Sequence, residues 1–104
     1  MDDAAWDTVG RLVGWLDSHS EGGVEGRALL RVLKLSEEVG EVSEALIGVL
    51  GQNPRKGVSH GWGDVQDELC DVILTAMVAL RTLTPDARRV FEARVEVVAE
   101  RSLG

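Results

Sequence analysis

Lys34-Leu35-Ser36-Glu37-Glu38-Val39-Gly40-Glu41-Val42-Ser43-Glu44-Ala45 is the stretch on which the reading of this chain turns. It lies within residues 27 to 50, where Leu35, Val39, Val42, Leu46 and Val49 recur at helical spacing and fall on one face at about 100° per residue. On the same wheel Lys34, Glu37, Glu38 and Glu41 occupy the adjoining arc. A solvated charge face normally lies opposite the apolar stripe. These carboxylates instead border it, at the rim of an expected packed interface.

Working outward, Gly51 is a natural residue to end this helix in a left-handed conformation, and Pro54 prevents its continuation. The loop that follows carries Arg55 and Lys56, the first adjacent basic pair in the chain, and then Ser59 and His60. From Trp62 to Leu83 a second long helix is expected. Beyond Glu68 it is apolar almost all round, the pattern of a helix in the middle of a bundle. Its polar arc is Asp64, Asp67, Glu68, Asp71 and Thr75. Thr84-Pro85-Asp86 then reads as a helix start, with Thr84 at the N-cap and Pro85 at the first helical position. That last helix runs to about Arg101, burying Val90, Phe91, Val95 and Val98 and presenting Arg88, Arg94 and Arg101.

Upstream, Trp6, Val9, Leu12, Val13 and Leu16 give an amphipathic helix over residues 3 to 17, capped by Asp2 or Asp3. Trp15 fits its apolar stripe as well. The stretch from Asp17 to Gly26, with its Gly22-Gly23 pair, reads as a flexible connection. With no strand-like alternation and no repeat, the expected fold class is all-α: a single four-helix, bundle-like domain spanning residues 1–104.

Length and charge narrow the possibilities. At 104 residues, a second copy would add useful buried surface. Hydrophobic residues make up 44% and charged residues 28%, too apolar a balance for a disordered chain. The net charge of −7 argues against nucleic acid as a partner. Nine of the eleven basic residues are arginine, so a local phosphate site stays open. The acidic N-terminus lacks the pattern of a signal peptide, and the apolar run from Val72 to Leu80 is too short to span a bilayer, so a cytoplasmic protein is expected. The single Cys70, lying in apolar surroundings, is expected to be a buried thiol.

Carboxylates three and four residues apart on a helix repel one another. Placed beside a core, they need Lys or Arg partners, a metal ion or protonation. Oxygen ligands of this kind suit Mg²⁺ or Mn²⁺. Zinc is disfavoured, because Cys70 stands alone and His19 and His60 lack ligand spacing. Alternatively, Glu37, Glu38 and Glu41 form a solvated acidic face paired with Lys or Arg. The second pair, Glu68 and Asp71 on an otherwise apolar helix, favours the metal.

Glu37-Glu38-Val39-Gly40-Glu41, followed after 26 residues by Glu68-Leu69-Cys70-Asp71, resembles the Glu-Glu-x-x-Glu and Glu-x-x-Asp signature of the MazG-like all-α nucleoside triphosphate pyrophosphohydrolases. The resemblance covers roughly residues 30 to 101. It implies hydrolysis of a nucleoside triphosphate to the monophosphate and pyrophosphate, with Mg²⁺ held by Glu38, Glu41, Glu68 and Asp71, and with Glu37 holding or activating the attacking water. It also implies a homodimer or a dimer of dimers, and phosphate contacts from Arg94 and Arg101. Lys34 would contact phosphate or neutralise Glu38. Arg55 and Lys56 would steer the triphosphate or form a plain surface patch, and Trp62 would stack on a base or anchor the core. Many family members carry an Asn in the last helix. Here the only Asn is Asn53, in the loop, which puts base and sugar recognition on a different footing. Outside the enzyme class, the same residues would suit a catalytically silent helical module that senses nucleotide or metal.

Overall fold

A computed structural model describes residues 3–104. It contains four helices, α1 (Asp3–Ser18), α2 (Val24–Leu50), α3 (Trp62–Leu83) and α4 (Ala87–Leu103), with no strand among the described residues. Of the two residues considered as the first cap, Asp2 lies outside the described residues, and Asp3 is the first residue of α1. Asp17, the residue at which the expected helix meets the expected connection, belongs to the last turn of α1, which ends one residue later. α2 begins three residues ahead of expectation, at Val24, with Gly23 extended before it and the Arg27 N–H donating to the Gly23 carbonyl at 3.0 Å.

Gly51 ends α2 as expected. Its φ of 64° lies in the left-handed region, where a side chain is disfavoured, and its N–H reaches the Ile47 carbonyl. Asn53 organises the next turn, its Oδ1 accepting from the backbone N–H groups of Arg55 at 3.0 Å and Lys56 at 3.3 Å. α3 starts with Asp64 Oδ2 accepting from the Gly61 N–H at 2.9 Å. Thr84 Oγ1 accepts from the Asp86 N–H at 3.1 Å, the bond expected of a cap, but regular helix begins only at Ala87.

α3 is the helix on which α1, α2 and α4 all pack, the central place its composition implies. The buried apolar core is small. Trp6, Val9 and Val13 of α1 meet Met77 of α3 and Ala87 of α4, with Phe91 packed against them and its ring centroid 6.2 Å from that of Trp6.

Several expected core positions lie outside this core. Leu12 and Trp15 are exposed on α1, Trp15 lying against the His19 ring. Leu69, Ile73 and Leu74 of α3 are exposed, as are Val90, Val95 and Val98 of α4. The reason is that α4 packs through its first turns alone and α3 is wrapped on only part of its circumference. Cys70 is likewise exposed, correcting the expectation of a buried thiol. On α2 the buried side runs through Arg31, Ala45 and Gly48, with Leu35, Glu38, Val42 and Val49 half-buried, whereas Val39 and Leu46 are exposed. The face that packs on α3 is therefore rotated toward the carboxylates.

Candidate metal centre

That rotation brings two helices' carboxylates together. One ligand oxygen from each of Glu38 and Glu41 on α2 and Glu68 on α3 lies within 4.8 Å of the others, and all three residues are half-buried. The i,i+3 spacing of Glu38 and Glu41 puts both on the α3-facing side of α2. Glu68 comes from the turn of α3 that follows the buried Val65. Asp71 is exposed and is not part of the trio, although it lies one turn beyond Glu68.

The trio is compensated in two ways. Lys34 Nζ lies 3.5 Å from Glu38 Oε1 and 3.3 Å from Glu37 Oε1. These contacts hold the Lys34 ammonium above its usual range, chiefly through the Glu37 hydrogen bond. The Glu38 side chain is only 12% exposed and that of Glu37 63%, so Glu38 points into the interface and Glu37 to its rim. Between the helices, hydrogen bonding to the facing Glu68, then burial and the nearby Glu68 and Glu37 charges, push the Glu41 carboxyl above its ordinary value. Glu68 Oε2 is buried without a hydrogen-bond partner.

These donors fit a hard divalent cation. Cis oxygens on one Mg²⁺ lie about 3.0 Å apart and trans oxygens about 4.2 Å, so a set within 4.8 Å closes on one ion with side-chain movements of about 1 Å. The orphaned Glu68 oxygen is a ready acceptor for such a charge.

The other residues singled out from sequence lie elsewhere. Trp62 is 59% exposed at the start of α3 and forms no part of the core. Arg55 and Lys56 are exposed in the α2–α3 loop, where Lys56 borders a polar cavity of about 320 Å³ together with Ser43, Asn53, Ser59 and His60. Arg94 and Arg101 are exposed on α4, which makes at most marginal contact with α2, the helix bearing Glu38 and Glu41.

One polar cluster escaped the sequence reading. Arg31 is buried on α2, its Nη1 2.8 Å from Asp17 Oδ1 and 2.9 Å from Thr82 Oγ1, while Arg27 reaches the same Asp17 oxygen at 3.2 Å. The Arg31 hydrogen bond, chiefly, holds Asp17 below its ordinary value. The signal available was an arginine one turn before Leu35, in line with the stripe that faces α3. No family model, curated protein or solved structure matches this chain.

Proposed function

We propose that the chain is a Mg²⁺-dependent nucleoside triphosphate pyrophosphohydrolase of the MazG-like all-α kind, acting as a homo-oligomer, with Mn²⁺ an acceptable substitute. The single observation that carries this reading is the convergence of Glu38, Glu41 and Glu68, from two helices, on one half-buried point. Three mutually repelling carboxylates cost stability where they stand, and the single Lys34 contact to Glu38 compensates them only in part.

Glu38, Glu41 and Glu68 would hold the ion, with Asp71, one turn along α3, completing the set after a rotamer change. A bound Mg²⁺ supplies charge neutralisation for the phosphate oxygens. Glu37, exposed at the rim and tethered to Lys34, would orient a water and accept its proton. In the proposed reaction the water oxygen bonds to the α-phosphorus and the α–β anhydride bond breaks. The monophosphate and pyrophosphate then leave as separate products. Lys34 sits where it pairs with Glu37 and Glu38 or, once a triphosphate arrives, turns to a phosphate oxygen.

A second reading, a nucleotide- or metal-sensing module without turnover, is favoured by the exposure of Asp71 outside the trio. Incubation of the pure protein with canonical and modified ribo- and deoxynucleoside triphosphates, in Mg²⁺ or Mn²⁺, separates the two. Pyrophosphate released from at least one nucleotide, dependent on the metal, supports the enzyme. Nucleotide binding with no release from any of them supports the module.

A further inference from the structure

Where the end of α1, the start of α2 and the end of α3 meet, a cavity of about 230 Å³ opens, lined by Val13, Asp17, Val24, Arg27, Arg81 and Thr82. The buried Arg31 belongs to it as well. Its Nη1 lies 2.8 Å from Asp17 Oδ1 and donates to Thr82 Oγ1 at 2.9 Å, and both of those residues line the cavity, so the guanidinium head stands at its wall. Three of the nine arginines in the chain therefore gather around one carboxylate. That is a surplus of two positive charges in a protein whose net charge is −7.

The partners at hand do not satisfy this cluster. Asp17 Oδ1 takes Arg27 at 3.2 Å along with Arg31, but Arg81 makes no ion pair or side-chain hydrogen bond among the described residues. Arg31 is 9% exposed, and its Nη2 is buried without a hydrogen-bond partner. A buried donor left unpaired costs free energy that a matching acceptor recovers. The place of Arg81 in the last turn of α3 suits the dipole of that helix. The dipole accounts for a basic residue there, but not for its sharing a cavity with two more guanidiniums.

The backbone adds donors on the same side. α2 begins at Val24 behind Gly23, which has no side chain to cap the first turn, and among the described residues no backbone carbonyl accepts from the N–H groups of Val24, Glu25 or Gly26. Val24 lines the cavity, whereas Glu25, the acidic residue of that turn, borders a separate apolar groove. We propose that this cavity holds a phosphate group, carried by free phosphate, by pyrophosphate or by a phosphomonoester. An open helix N-terminus supplies N–H donors and a positive dipole end to such a group, and guanidiniums supply charge-assisted hydrogen bonds. The two surplus charges match a dianion, and a carboxylate would leave one of them unmatched. Arg27 and Arg81, both half-buried, reach the ligand, while Arg31 adds its charge from the wall.

This cavity is separate from the carboxylate trio. Along α2, Arg27 lies about 16 Å before Glu38, so no single phosphate touches both. Occupancy ties the end of α1, the start of α2 and the end of α3 to one ligand, and it stands apart from the enzymatic reading.

Isothermal titration calorimetry of the full chain tests it, in EDTA so that no ion sits on the carboxylates and at constant ionic strength. Inorganic phosphate, pyrophosphate and a nucleoside monophosphate are titrated in turn. At least one is expected to bind saturably, one per chain, and the tightest of the three identifies the source of the phosphate. Arg81→Gln, which breaks no ion pair among the described residues, is expected to bind that ligand at least about tenfold more weakly, the worth of one charge-assisted hydrogen bond. Glu68→Gln is expected to bind it as the wild type does. In the wild type, the amide resonances of Val24, Glu25 and Gly26 are expected to shift along the same titration, a readout that needs no variant to fold. No saturable binding of any of the three, unmoved amides, undiminished binding in Arg81→Gln, or binding lost in Glu68→Gln each overturns the proposal. Neither metal nor turnover enters the measurement, so this proposal and the hydrolase reading fail separately.

Discussion

The carboxylates show most sharply how an individual residue's setting changes its meaning. Glu37, Glu38 and Glu41 are three like residues within one stretch of sequence, yet each does something different. Glu38 is turned inward against Lys34, Glu37 lies out at the rim, and Glu41 faces Glu68 across the helix interface with its carboxyl held above its ordinary value. The sequence already placed these groups beside a core face, and the structure separates their roles. Replacing Glu68 by Gln puts an amide donor beside Glu41 and removes one like charge. The metal-free variant should melt at higher temperature than wild type, and differential scanning fluorimetry checks this. A lower melting temperature at neutral pH would mean that the pair is not strained. The pH dependence has a defined sign. Because the folded Glu41 carboxyl titrates above its ordinary value of 4.5, its contribution to stability is present below that value and is lost as pH rises through the raised one. Asp17, lowered from 3.8, contributes above that value, and the contribution disappears as pH falls through the lowered one. Melting curves of Glu41→Gln and Asp17→Asn against pH should each remove one of these opposed slopes. Arg31 was missed because an arginine in an apolar stripe is ordinarily read as a flank. Its burial depends on Asp17 and Thr82, which come from two other helices.

Elements were legible where local chemistry sets them and less so where packing does. The stop at Gly51 and the break at Pro54 follow from backbone chemistry alone, and both appear as expected. The face that α2 buries does not, because two apolar stripes run along it and only contact with α3 decides which one is covered. The same ambiguity explains Val39 and Leu46, expected to be buried and found exposed, whereas Val95 and Val98 are exposed because α4 packs through its first turns alone. Gly48 is a case where an element depends on one absent side chain. The His60 ring lies over it, and a Cβ there would overlap the ring and come within 2.6 Å of Ser59 Oγ, while the Ser59 N–H donates to the Gly48 carbonyl at 3.0 Å. Gly48→Ala should therefore force the loop off α2. A loss of about 1–3 kcal/mol is expected from such overpacking, measurable by urea denaturation, together with faster amide exchange at Ser59. An unchanged exchange rate would mean that the His60 ring simply swings aside.

The whole molecule is flat, 46 × 45 × 22 Å, with a small core and long uncovered stripes. Periodicity announced an all-helical chain and composition its ample apolar content, but neither could announce that so much of that content stays outside the monomer's core. Burial within one copy and burial between two leave the same sequence pattern. The central claim is also one of tertiary arrangement: α2 and α3 meet so that Glu38, Glu41 and Glu68 converge on one point, which we propose holds a metal ion. Electron paramagnetic resonance titration of Mn²⁺ into the wild type and Glu68→Gln tests it most directly. The account predicts one saturable ion per chain in the wild type, displaced by Mg²⁺, and at least about tenfold weaker binding in Glu68→Gln. Mn²⁺ that stays free in the wild type, or that binds Glu68→Gln equally well, would contradict it.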